Sequence, residues 1–113
     1  MQKKLLFIID PHPEAIKMAP LIQKSKEYKN CKTIVCITAQ HRGMLDQVLT
    51  FFNITPNYDL NLMKPNQDLF DITTSGLMRL RTVLEEVNPD LVFIQEDTTT
   101  AFIGALATFY HKM

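Results

Sequence analysis

Two groups of side chains in this sequence are of types that do chemistry, and both fall where an apolar run breaks off. The acidic group is Asp10, which follows Leu5-Leu6-Phe7-Ile8-Ile9, with Glu96 and Asp97, which follow Leu91-Val92-Phe93-Ile94. Carboxylates brought close together share protons with raised pKa values, act as acid/base groups, or gather a hard cation such as Mg²⁺. The same residues can instead cap helices, because a carboxylate is favoured at a positive helix N-terminus. Spacing alone leaves capping, acid/base work and a metal site all open.

The second group is basic and polar: His12 and Lys17 after the first apolar run, and Gln40-His41-Arg42 after Thr33-Ile34-Val35-Cys36-Ile37-Thr38. Lys17 falls about one turn into a helix that starts near Pro13, within reach of an anion held at that helix end. His41 and Arg42, taken singly, are equally ordinary solvated surface residues. His111 lies in the last turn of the C-terminal helix, where a favourable dipole contact accounts for it. With neither a Gly-x-Gly-x-x-Gly run nor a Walker lysine, a dinucleotide or ATP phosphate loop is unsupported, and no cofactor is expected. Cys31 and Cys36 sit roughly 16 Å apart along one strand, too far to bridge, and read as small core residues.

The elements that must position these groups follow from periodicity. Lys3–Ile9 is a strand buried on both faces. From Pro13, the residues Met18, Leu21 and Ile22 share a helical face, with Pro20 expected to bend that helix. Thr33–Thr38 is a second buried strand, and Met44, Leu45, Val48, Leu49 and Phe52 keep helical spacing until Asn53–Asn57. A short third strand falls within Tyr58–Met63. Leu69, Ile72, Gly76, Leu77, Leu80, Val83, Leu84 and Val87 then form one apolar stripe on a long helix that stops at Asn88-Pro89. Leu91–Ile94 is a fourth strand, and the helix after it is apolar nearly all round, a pattern that is normally covered on both sides.

Strands alternating with helices point to an α/β fold, a Rossmann-like doubly wound parallel sheet of about four strands. The right-handed crossover rule gives the order 3-2-1-4, with strands one and four side by side where the winding reverses. Ligands bind in the crevice at such a reversal, between the Asp10 loop and the Glu96 loop.

The 113 residues make a single domain. Twelve basic residues balance 12 acidic ones, so no overall field draws the protein to nucleic acid or to an anionic membrane. No apolar run approaches the roughly 20 residues of a membrane span, and the N-terminus has no signal-peptide pattern. A cytoplasmic location is expected.

Several motifs in register carry a resemblance. Pro13-Glu14-Ala15-Ile16-Lys17-Met18-Ala19-Pro20 is followed by Thr38-Ala39-Gln40-His41-Arg42 with Met44-Leu45-Asp46-Gln47-Val48-Leu49, then by Tyr58-Asp59-Leu60-Asn61-Leu62-Met63 and Asp97-Thr98-Thr99-Thr100. Over its whole length the chain resembles the non-hydrolysing UDP-N-acetylglucosamine 2-epimerases. The resemblance implies a partial half of a GT-B-type fold, with residues 1–113 as a truncated N-terminal domain and the C-terminal UDP-binding domain absent. It also implies interconversion of UDP-GlcNAc and UDP-ManNAc for bacterial surface polysaccharides. UDP is eliminated across C1 and C2 and added back with C2 inverted; carboxylates handle the proton and basic groups steady the departing diphosphate.

Under that resemblance Lys17 and Asp97 match the family's active-site lysine and aspartate. Gln40 matches a residue of its regulatory nucleotide-sugar site, and His12, His41 and Arg42 complete the candidate substrate-binding set. The partner implied is a UDP-sugar. Self-association is expected through the helices at Gly43–Phe52 and Leu69–Val87 or through the outer edge of strand four. The chain departs from the family where Gly-Thr-Arg is replaced by Asp10-Pro11-His12 and a glycine by Glu96. A carboxylate about 4 Å from a bound phosphate costs roughly 4 kcal/mol per charge pair at an effective dielectric of 20, which weakens binding about a thousandfold. The larger departure is length: the family's further catalytic glutamates and UDP-binding domain lie outside these 113 residues, so the truncated chain is expected to be inactive by itself. Further alternatives are a binding or regulatory module paired with a full-length epimerase, and a small divalent-metal domain built on Asp10, Glu96 and Asp97.

Overall fold

The computed structural model describes residues 2–9, 15–38, 44–62, 66–94 and 99–111. Eight elements alternate along the chain: β1 (Lys3–Ile9), α1 (Ala15–Lys26), β2 (Cys31–Ile37), α2 (Met44–Phe51), β3 (Tyr58–Asp59), α3 (Leu69–Val87), β4 (Leu91–Ile94) and α4 (Thr99–Tyr110). All pairings in the sheet are parallel and the order is β3-β2-β1-β4, as expected from the crossover rule. Phe7 pairs with Val35 on one side and with Phe93 on the other, which puts β1 in the centre.

The alternation of side chains along β1 divides the core in two. Leu5, Phe7 and Ile9 meet Met18, Ala19 and Ile22 of α1 and Leu49 of α2, together with Val35 and Ile37 of β2. Leu6 and Ile8 face the other way, onto Leu80, Val83, Leu84 and Val87 of α3 and Ile103 and Ala107 of α4. Both faces of a parallel sheet are thus covered, which explains the unbroken apolar runs. Phe7 and Phe93 stack with ring centroids 4.6 Å apart, tying β4 to β1 on the first face. On the second face, α4 comes close enough that a Cβ at Gly104 would lie 3.0 Å from Ile94 Cδ1.

Pro20 lies inside α1, and the helix runs on through it to Lys26. The missing N–H leaves one carbonyl without its helical donor. α3 is bounded by a reciprocal cap in which Asp68 Oδ1 accepts from the Asp71 amide at 2.8 Å and Asp71 Oδ2 accepts from the Asp68 amide at 3.2 Å. It ends at Asn88, whose φ of 48° is the left-handed geometry of a helix stop.

Two details differ from the sequence expectation, at β2 and α3, and β3 narrows it. β2 starts at Cys31 rather than Thr33, because Cys31 and Lys32 pair with Lys3 and Lys4 of β1. β3 is Tyr58–Asp59, inside the expected span Tyr58–Met63: Asn61 takes a φ of 50°, which interrupts an extended strand, although Leu60 and Leu62 stay buried. Leu69 is 65% exposed and does not belong to the buried stripe, since the whole first turn of α3, Leu69-Phe70-Asp71, is exposed. Cys31 and Cys36 are free thiols, Cys36 fully buried, in keeping with their reading as core residues.

Candidate functional site

β1 leaves the sheet at Ile9 and β4 at Ile94, and Ile94 is in register with Ile8. The chain goes on from β1 to α1 on one face and from β4 to α4 on the other. Adjacent parallel strands whose connections diverge in this way open a crevice at their carboxyl ends, where an open α/β sheet places its ligand. Lys17 is the third residue of α1, on the first turn after β1, and is exposed. Its buried neighbours Met18, Ala19 and Ile22 anchor that turn on the core. An exposed ammonium on a helix first turn adds its charge to the partial positive charge of the helix end, an arrangement that favours an anion.

The strand ends themselves are held by Thr38, the residue immediately after β2. Its amide donates to the Ile9 carbonyl at 3.1 Å, and its hydroxyl lies 3.4 Å from the same oxygen. Its own carbonyl accepts from the Leu62 amide at 2.9 Å. Thr38 is 1% exposed, one of two buried polar residues with Ser25 among those described. Sequence reasoning treats it only as the end of a strand; the signal that points to more is a hydroxyl closing an otherwise apolar β-branched run.

Of the residues singled out from the sequence, Lys17 lies at this edge. Asp10, His12, Gln40, His41, Arg42, Glu96 and Asp97 lie outside the described residues. The capping of the first and last helices by Asp10 and Asp97 falls outside them too, as does a metal site on the three acids. Among the described residues no group of three potential metal ligands comes together. Nor is any helix there long and apolar enough to cross a membrane.

Other polar features lie elsewhere. A cavity of about 350 Å³ is lined by Lys4, Lys32, Asn57, Tyr58 and Glu86, residues from the early parts of the strands and the end of α3. There the Tyr58 hydroxyl donates to Glu86 Oε2 at 2.9 Å, and that hydrogen bond, then burial and the Glu86 charge, raises the phenol above its usual range. A second cavity, about 510 Å³, runs between the later turns of α3 and α4, past Met78, Arg81, Tyr110 and His111. His111 follows the last turn of α4, and its Nε2 lies 3.2 Å from Oδ1 of Asn88. That tie joins two helix ends, a contact that the sequence did not lead us to expect.

The family model described as UDP-N-acetylglucosamine 2-epimerase matches residues 23–113. A UDP-N-acetylglucosamine 2-epimerase of Neisseria meningitidis is 52% identical over 97% of this chain and 30% of its own length. One of Campylobacter jejuni is 49% identical over 100% of the chain and 30% of its own length. A crystal structure of the Neisseria meningitidis UDP-GlcNAc 2-epimerase bound to UDP-GlcNAc superposes with a TM-score of 0.89 at 52% identity, covering 96% of this chain and 30% of that one. The chain thus spans about 30% of the length of the relatives it matches. The parallel sheet of order β3-β2-β1-β4 is the Rossmann-like beginning of their GT-B fold, and by sequence and structure together this chain belongs to the UDP-N-acetylglucosamine 2-epimerase family.

Proposed function

We propose that this chain supplies the sugar-side wall of a UDP-N-acetylglucosamine 2-epimerase site, and that the 113 residues by themselves do not turn the substrate over. The observation that carries the reading is the reversal between β1 and β4, with Lys17 on the turn that follows it, in a chain half identical to epimerases. In this reading Lys17 steadies the departing diphosphate and Asp97 handles the proton at C2 of the sugar, as charge development in an elimination requires. His12, Gln40, His41 and Arg42 bind the UDP-sugar. The groups that hold UDP come from outside these residues, as the coverage of about 30% of the relatives suggests.

Asp10 and Glu96, where the family resemblance calls for glycine, provide the test. Each puts a carboxylate beside the phosphates in this reading, a repulsion that glycine would remove. UDP-GlcNAc affinity is compared by NMR titration for the chain and for the Asp10→Gly/Glu96→Gly double variant. The expected result is a tightening of at least about tenfold, up to about a thousandfold for a carboxylate roughly 4 Å from a phosphate. Equal affinities would show that these carboxylates do not face the nucleotide sugar, and the reading would fall.

A second reading, self-association, is favoured by apolar exposure near β4. Leu91 on its outer edge is 55% exposed, and Phe102, Phe109 and Tyr110 of α4 are 60%, 75% and 66% exposed. An unguarded strand edge beside exposed aromatic side chains favours pairing with another chain. Light scattering that gives a monomer mass at millimolar concentration would reject this reading.

A further inference from the structure

The carboxyl ends of β1, β2 and the segment after β3 converge on Thr38. The Ile9 carbonyl, the last of β1, receives both the amide and the hydroxyl of Thr38, at 3.1 and 3.4 Å. The Leu62 amide is held by the Thr38 carbonyl at 2.9 Å, and the Leu60 amide, two residues earlier, by the Ile37 carbonyl at 2.9 Å. A trans peptide is planar, so holding the Ile9 oxygen fixes the plane on which the chain leaves β1. A buried hydroxyl is costly to desolvate, whereas valine has the same shape, suits a strand, and carries no polar atom. Yet a threonine stands here, 1% exposed, at the sheet edge where the ligand crevice opens.

We propose that Thr38 is a positioning residue for the nucleotide-sugar crevice. Its hydroxyl and backbone together set the spacing of the three segments that lead on to positions 10–14, 39–43 and 63–65. It touches no substrate; it acts through the Ile9 carbonyl and the Leu62 amide that it holds. The inference rests on the reading of this edge as the UDP-sugar side. That reading has its own test in the Asp10 and Glu96 variants, so the failure of one is distinguishable from the failure of the other.

The experiment is amide hydrogen exchange by NMR on the full 113-residue chain, in the original sequence and in Thr38→Val and Thr38→Ser. Thr38→Val keeps shape and removes the hydroxyl; Thr38→Ser restores it. In Thr38→Val the amides at positions 38 and 62 are expected to exchange about three- to tenfold faster, the effect of one lost hydrogen bond on a local opening. Resonances at 10–14 and 39–43 move with them. Core amides such as Phe7, Val35 and Leu84 keep their protection, and Thr38→Ser returns the edge to its original behaviour. Three outcomes would overturn the proposal. They are an unchanged edge in Thr38→Val, an equal loss of protection at every amide, which marks a purely structural role, and a serine variant indistinguishable from valine.

Discussion

Asp90 grips Lys4 at two points. The Asp90 amide donates to the Lys4 carbonyl at 2.8 Å, and the Lys4 amide donates to Asp90 Oδ2 at 2.7 Å. This clamp sits one residue before β4 and sets the register in which Leu91 meets Leu5. It therefore determines how far β4 extends toward the carboxyl edge of the sheet, and hence where Ile94 releases the chain beside Ile9. Asp90→Ala removes a charge-assisted hydrogen bond to a backbone N–H and is expected to cost about 1 kcal/mol. Asp90→Asn keeps an acceptor and should lose less than half of that. Urea unfolding of the three proteins checks the order, and equal losses in both variants would contradict it.

Asn61 carries the turn that ends β3. Its φ of 50° and its amide bonded to Asp59 Oδ1 at 2.8 Å hold Leu60 and Leu62 on the core while the strand itself stops. Asparagine tolerates this geometry, and a β-branched residue does not. Asn61→Val should cost about 1–2 kcal/mol in thermal or urea unfolding, whereas Asn61→Gly should stay within about 0.5 kcal/mol. A valine variant as stable as the original would show that the turn is not held as described.

Cys36 makes stability depend on alkaline pH. Burial, and after it the charge of Asp59, pushes the thiol from the usual range up to about 12. A raised pKa means that the folded protein keeps the thiol neutral where the unfolded chain ionises. The contribution is fully present below about pH 9 and is lost as pH rises toward about 12, at about 1.4 kcal/mol for each pH unit. Tyr58, raised chiefly by its bond to Glu86, pulls in the same direction. Comparison with Cys36→Ala removes most of the tyrosine's part, since both proteins carry Tyr58 and the Cys36 charge is the smallest of the causes that raise its phenol. The original's stability relative to the variant should fall between about pH 9 and about pH 11. A difference constant with pH would contradict the burial of this thiol.

Much of this was legible from residue order. Continuous apolar runs bounded by turn residues marked β1 and β4 at their observed limits, and the crossover rule gave the strand order. β3 was placed within Tyr58–Met63 but not bounded there, because its end comes from one backbone angle at Asn61 that no periodicity reports. The exposed first turn of α3 escaped for a related reason: Leu69 is in phase with the stripe, but only the packing partners reveal where the core beneath a helix stops. For the candidate site the sequence offered Lys17 and other charged residues and passed over Thr38. Its role depends on a carbonyl 29 positions away in the chain.

Under the proposed function, the 113 residues meet UDP-GlcNAc without turning it over. Incubating the purified 113-residue chain with UDP-GlcNAc, and following UDP-ManNAc by proton NMR, measures this outright. No product above the enzyme-free control is predicted at any protein concentration, and UDP-ManNAc formed at a rate proportional to protein concentration would contradict it.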